Sequence, residues 1–291
     1  DTFSMARAQL ASCHAALAKQ HTDAHRRWLE RAGGSAAAAR TECVTFDLDD
    51  TLWPVMPPIL RAQDVLLEQL AQQLPKSFAA GLGDKAALKA AIGPVFAAHP
   101  QIGHDLTEVR RLSLATAAEA HGDDPKAAVD QVITAFVEAR SQVTDHLFAD
   151  VLASLERLRA AGLRVGAITN GNCDVMLQLA SHFDFAVTAA DAGAAKPDSA
   201  PFLQAAACAG CHLGAIVHVG DSVKSDVVGA LAVGMRAVLL ARPELKPRAP
   251  DEADAMPPAD DARWREFTSL ADAVDTILGD ASFGGGGEPI A

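Results

Sequence analysis

The chain of 291 residues contains no tyrosine, and aromatic residues make up only 5% of it. Its core must therefore be filled mainly by aliphatic side chains and alanine, and the strong alanine bias favours helices. The five cysteines, at positions 13, 43, 173, 208 and 211, are odd in number and sparse. That argues against a disulfide framework and for a reducing compartment. Charges interrupt every apolar stretch well before the roughly 18 residues that a membrane span needs. A soluble protein without a membrane partner is expected. Basic residues are also in deficit, with 25 Lys and Arg against 37 Asp and Glu and a formal charge of −12. An acidic surface repels a phosphate backbone, so nucleic acid is not an expected partner. No secretory signal is visible, which points to an intracellular protein, monomeric or homodimeric. Residues 1–40 hold six basic against three acidic residues. A targeting remnant would fit that balance, so an organelle stroma such as that of the chloroplast stands beside the cytoplasm as a location.

Residues 5–31 read as a helix, with Gly33 and Gly34 as its exit, and residues 1–40 form an N-terminal helical appendage. ECVTFDLDDTLW, residues 42–53, is an apolar strand that ends in a cluster of carboxylates, where α/β proteins place their chemistry. Residues 54–147 show no strand. Leu60, Leu67, Leu70 and Leu74 keep a helical spacing, as do Val129, Ile133, Phe136 and Arg140, so this stretch is a helical insert. Beyond it strands and helices alternate: LRVGAIT, a helix from Cys173, DFAVTA, a helix from Pro201, AIVHVG, a helix around Val227, and MRAVLL. That rhythm predicts an α/β fold, a doubly wound parallel sheet built from 41–53 and 148–280. Residues 245–261 are too rich in proline and acid to be regular, and residues 281–291, with Gly284–Gly287, make a flexible tail. Neither is expected to carry catalysis.

Four short segments carry the chemistry. Asp47 and Asp49 stand two apart at a strand exit, followed by Asp50 and Thr51. Thr169 ends the LRVGAIT strand, and Asn170 and Gly171 follow, so a hydroxyl and an amide at this turn suit a phosphate oxygen. Lys196, just before Pro197, offers an ammonium that neutralises a carboxylate and a phosphate together. VHVGDSVKSD closes a strand with Gly220 and Asp221 and adds Asp226 a helical turn later, hard oxygen ligands of the kind Mg²⁺ prefers. Taken singly, each segment is an ordinary turn or capped helix. A nucleophile, a proton relay, a metal and groups for the phosphate oxygens are what phosphoryl transfer needs.

In this order DLDDT, T, KP and GDSVKSD resemble the four motifs of the haloacid dehalogenase superfamily, over roughly residues 42–240. The resemblance implies that Asp47 is the nucleophile and Asp49 the general acid and base. By the same resemblance Thr169 and Lys196 bind phosphate with the Asn170 and Gly171 turn, and Asp221 binds metal with Asp47 and a backbone carbonyl near Asp49. Asp226 supports the metal site and orients the lysine. An aspartate at position 49 is the mark of the phosphatase members and is missing from the dehalogenases, which disfavours halide release. The insert is similar to the C1 cap, which closes over the site and selects the leaving group. His104, Asp105, Arg110 and Arg111 within it are candidates for touching substrate or a hinge. TFDLDDTLWPVMPPILRAQ, HDLT, AITNGN and IVHVGDSVKSDVVGALAVGMRAVLLARPE further resemble the bacterial FMN phosphatase branch. Members of that branch also dephosphorylate 5-amino-6-(5-phospho-D-ribitylamino)uracil. A small phosphate ester is thus the expected partner, with a sugar phosphomutase, or an assembly subunit docking through residues 1–40, as rival readings.

Cys208, Cys211 and His212 match a haem-attachment spacing, but they fall where a helix runs into a strand, and no second cysteine pair completes a zinc site. They are read as buried or loop cysteines. Cys173, near the Thr169 turn, is read as packing, as are His182 and His218.

Overall fold

Residues 40–245 and 250–279 are described by a computed structural model. The helix expected over 5–31, Cys13 and the tail over 281–291 lie outside them. Along the chain the main elements are β1 (Cys43–Phe46), α1 (Met56–Gln73), α2 (Lys85–Ala98), α3 (Leu106–His121), α4 (Pro125–Arg140) and α5 (Val151–Ala160). Then follow β2 (Arg164–Thr169), β3 (Phe185–Thr188), α6 (Ser199–Ala209), β4 (Ile216–Gly220), β5 (Arg236–Leu240), β6 (Trp264–Phe267) and α7 (Leu270–Gly279). They form two compact units, one of residues 40–53, Leu147–Asn170 and Leu179 onward, the other of Pro54–His146 and Gly171–Gln178.

The first unit is the doubly wound α/β fold the alternation predicts. Its six strands run parallel in the order β3-β2-β1-β4-β5-β6. A parallel sheet with helices on both faces is buried on both sides, which is why CVTF, IVHVG and RAVLL read as continuous runs and why β1, β4 and β5 are buried at every position. On one side Phe202, Ala205, Ala206 and Ala209 of α6 join Ile168, Val187, Ile216 and Leu239 in a single core. α5 and α7 pack together, burying Val151, Leu155 and Leu158 with Leu270, Ala273, Val274 and Ile277. Gly166 in β2 has no room for a side chain, because a Cβ there would lie 2.2 Å from the Phe185 ring. With strand order reversing at β1, the crevice at the carboxyl ends of β1, β2 and β4 is where such a sheet binds ligands.

β6 was not among the expected strands. Only Trp264 of its four residues is buried, and the edge position lets Glu266 face water, so it lacks the apolar signature of the inner strands. The segment over 245–261, expected to be irregular, contains a helical turn at Pro250–Ala253.

The second unit is helical. α1 packs on α4, and α4 on α3. The buried face of α1 is Pro58, Ala62, Leu66 and Leu70, so the predicted stripe is displaced: Leu60 is 43% exposed, while Leu70 and Leu74 are buried. On α4 Val129, Ile133, Phe136 and Arg140 are all buried, as their spacing predicts. Asp84, Asp105 and Asp124 cap the N-termini of α2, α3 and α4, each accepting backbone N–H groups that the first turn leaves without partners. Asp105 therefore has a structural task, accepting from Thr107 and Glu108 N–H. Arg111 pairs with Glu108, and the Arg110 guanidinium stacks 4.0 Å above the Phe136 ring. Among the described residues no helix is long and apolar enough to cross a membrane.

Candidate active site

Every motif residue of the first unit lies at the carboxyl end of the sheet. Asp47 follows β1 directly, with its N–H donating to Val219 O of β4 at 2.8 Å. The chain then folds into a tight turn. Leu52 N–H reaches Leu48 O, Asp50 N–H reaches Trp53 O, and Asp50 adopts a left-handed φ of 60°. Aspartate tolerates that region better than most residues. The Trp53 indole N–H donates to Asp49 Oδ1 at 3.0 Å and holds that carboxylate in place. Thr51, fully buried, donates its hydroxyl to Asp221 Oδ1 at 3.3 Å. Its carbonyl accepts from Arg242 Nε, whose Nη1 also donates to both oxygens of Asp150.

Lys196 is the hub. Its ammonium is 1% exposed and donates to Asp47 Oδ1 at 2.7 Å, Asp226 Oδ1 at 2.7 Å and Ile168 O at 2.6 Å. An ammonium has three hydrogens, so all of them are committed to protein acceptors. Lys196 is held by Asn170, whose carboxamide oxygen accepts from Lys196 N–H and whose NH₂ donates to Lys196 O. Asn170 thus spends both of its amide groups on the lysine backbone. Thr169 ends β2 and is buried, whereas Gly171 belongs to the helical unit.

Asp47, Asp221 and Asp226 each present an oxygen, all within 4.8 Å of one another. Their environments differ. Burial pushes Asp226 up, but Lys196 and His218 outweigh it and hold this carboxyl well below the usual range. Burial pushes Asp47 up to about 7, with Lys196 opposing and Asp226 adding to the rise. Burial, then the charges of Asp226, Asp47 and Asp50, push Asp221 up to about 8. Burial works to lower the Lys196 value, yet Asp226 and Asp47 raise it, so the ammonium stays charged. Three carboxylates thus lie together with one buried cation, which bonds only Asp47 and Asp226, and a hard divalent ion would supply the missing charge. The donor set fits Mg²⁺. Asp226 is the least suited to hold it, because Oδ1 already accepts from Lys196 and His218 and Oδ2 accepts from Ser222 N–H.

Several contributors escaped the sequence reading. Glu252, in the segment not expected to matter, accepts from the Ser222 hydroxyl and from Lys224 N–H, beside Asp221. Arg242 and Trp53 fasten the turn after β1, and His218 bonds to Asp226 instead of merely packing. Glu252 has no sequence signal, since its contact depends on a remote segment folding back. His218 had one, a lone polar residue inside an otherwise apolar central strand. Cys208 and Cys211 are free thiols, Cys211 buried just past the end of α6, in keeping with their reading as ordinary cysteines.

The haloacid dehalogenase-like hydrolase family model matches residues 41–234, and the chain belongs to that family. It is a phosphatase-type hydrolase within it. Over 210 residues it is 33% identical to the Escherichia coli 5-amino-6-(5-phospho-D-ribitylamino)uracil phosphatase YigB, covering 70% of this chain and 85% of that one. The ribulose-1,5-bisphosphate 5-phosphatase of Halopiger xanaduensis is 30% identical over 231 residues, 75% of this chain and 90% of the relative. Among solved structures, a 2-haloacid dehalogenase from Pseudomonas syringae pv. tomato is 35% identical with a TM-score of 0.69, covering 82% of this chain and 98% of that one.

Proposed function

We propose that the protein is a Mg²⁺-dependent phosphomonoesterase that works through a phospho-aspartate on Asp47 and acts on phosphorylated ribityl or related sugar chains. The observation that carries this reading is the convergence of Asp47, Asp221 and Asp226, an oxygen of each within 4.8 Å of the others, with the buried Lys196 ammonium bonded to Asp47 and Asp226. Asp47 and Asp221, with the Asp49 backbone carbonyl, would hold the ion, which when bound neutralises phosphate charge and keeps the two carboxylates ionised.

Asp47 has one oxygen bonded to Lys196, which leaves the other to attack phosphorus. As that P–O bond forms, the ester P–O bond breaks, and Asp49, positioned by the Trp53 indole, gives its proton to the departing alkoxide. Asp49 then takes a proton from the water that attacks the acyl phosphate, which returns Asp47 as a carboxylate and releases inorganic phosphate. The Thr169 hydroxyl and the amides of the following turn bind the transferring oxygens in this reading, and the helical unit acts as a cap that selects the leaving group. The flavin-precursor substrate rests on the relation to the E. coli phosphatase.

The test is phosphate release from FMN, 5-amino-6-(5-phospho-D-ribitylamino)uracil, ribulose bisphosphate and phosphoglycolate, with Mg²⁺ and with chelator. Asp47→Asn is expected to abolish turnover while its melting curve stays cooperative. A fully active Asp47→Asn would remove the nucleophile assignment.

The likeness to a 2-haloacid dehalogenase favours one second reading, halide displacement by Asp47. Asp49 weighs against it, since displacing a halide requires no proton donor for the leaving group. Halide release from a 2-haloacid, without metal and without phosphate release from any ester, would reverse that preference.

A further inference from the structure

His218 lies in the centre of the sheet and is 0% exposed. Both neighbours of a buried imidazole must be accounted for, because an unsatisfied ring nitrogen there is costly. Nδ1 lies 3.0 Å from the hydroxyl of Thr45, its register partner on β1, and Nε2 lies 3.1 Å from Asp226 Oδ1. The ionised Asp226 carboxylate only accepts, so Nε2 carries the hydrogen, and in the neutral ring Nδ1 accepts from the Thr45 hydroxyl. Burial lowers the imidazole pKa against the pull of Asp226, in keeping with a neutral ring. The Phe202 ring meets the imidazole edge-on, with centroids 5.3 Å apart, and limits its rotation.

Asp226 Oδ1 receives two donors, His218 Nε2 and Lys196 Nζ, while Ser222 N–H holds Oδ2. Gly220 lets the carboxyl lie against the strand end, since a Cβ there would be 2.2 Å from its carbon. The lysine in turn has no spare hydrogen, so its position is the resultant of Asp47, Ile168 O and Asp226. The Asp226 carboxylate is thus one of three acceptors that fix the ammonium beside Asp47.

We propose that His218 is a positioning residue of this site, fixing the Asp226 carboxylate from within the sheet and so holding Lys196 on the Asp47 carboxylate. The inference rests on the reading of Asp47 and Lys196 given above.

The test compares His218→Leu, which fills the space without a donor, with His218→Gln, which keeps an N–H near the ε position. Removing a supporting partner of this kind typically costs about 10- to 100-fold. We expect His218→Leu to lower kcat by about that factor with little change in KM, and His218→Gln to recover most of it. The nitrogen resonance of the Lys196 ammonium, followed without turnover, should shift in the leucine variant and stay near its wild-type position in the glutamine variant. Wild-type kcat and an unmoved lysine resonance in folded His218→Leu would overturn the proposal. So would equal losses in both variants that merely follow their melting temperatures. If the leucine variant does not fold, His218→Gln against His218→Asn, whose amide sits nearer the δ position, makes the same contrast. A shifted resonance in a protein that hydrolyses no ester would leave the positioning role standing and defeat the phosphatase reading instead.

Discussion

The same residue type does opposite work in the two units. In the helical unit Asp84, Asp105 and Asp124 sit at helix starts, each bonded to backbone amides of its own first turn. In the sheet unit Asp47, after β1, meets Asp221 and Asp226, after β4, with an oxygen of each within 4.8 Å of the others and Lys196 bonded to Asp47 and Asp226. A capping aspartate is satisfied locally and asks nothing of the rest of the fold. The converging aspartates draw on partners from other segments, Lys196 for Asp47 and Asp226 and Thr51 for Asp221, and two of them stay above the usual carboxylate range. Polar groups that local structure satisfies stabilise the fold, whereas buried charges gathered at strand ends with shifted pKa values mark a candidate functional site.

Removing Lys196 should break the contrast most severely. Lys196→Ala strips two buried carboxylates of their cation, and losing one partner of a buried pair typically costs about 3–5 kcal/mol. Loss of a charge-stabilising donor costs about 100- to 1000-fold in kcat. Denaturant unfolding and steady-state kinetics check both. A variant within twofold of wild type in each would deny that the lysine is the hub.

A smaller and pH-dependent effect is expected at Asp221. Its folded-state value of about 8 lies well above the ordinary carboxyl value of 3.8, so protonation favours the folded state. That contribution is complete below about pH 4 and is lost as pH rises through about 8. Metal-free Asp221→Asn should therefore melt close to wild type near pH 4 and above it at pH 8. Mg²⁺ should raise the melting temperature of wild type at pH 8 and not that of the variant. A wild-type-to-variant difference independent of pH would sink this account.

The smallest effect belongs to the capping class. Asp105→Ala removes two bonds at the start of α3 and should cost about 1 kcal/mol, with kcat within twofold of wild type. A large fall in kcat with unchanged stability would move Asp105 from the capping group to the substrate-contacting group.

The sequence was most legible where burial is uniform or where a motif is local. β1, β2, β4 and β5 appear as apolar runs because both faces of a parallel sheet are covered, and Asp47, Lys196 and Asp221 stand beside strand ends or turn residues. β6 hid because an edge strand with Glu266 facing water has no such run. The stripe on α1 was displaced because leucine spacing alone does not say which side of a helix meets α4, and Ala62 proved as buried as any leucine. The roles of His218, Arg242 and Glu252 depend on register or on long-range contacts, through Thr45, Thr51 and Ser222 respectively. No local pattern encodes the contacts of Arg242 and Glu252, and the lone polar position of His218 in an apolar strand marks the residue without naming its partner.

Asp150 accepts twice from Arg242 and once from the N–H of Leu270, at the start of α7. Arg242 in turn holds the carbonyl of Thr51, whose hydroxyl reaches Asp221. α7 is thereby wired, through one carboxylate and one guanidinium, to the turn that follows β1. Shortening the chain to end before Leu270 would remove more than a packing element: it would unfasten the turn after β1 from behind, although every motif residue remained in place.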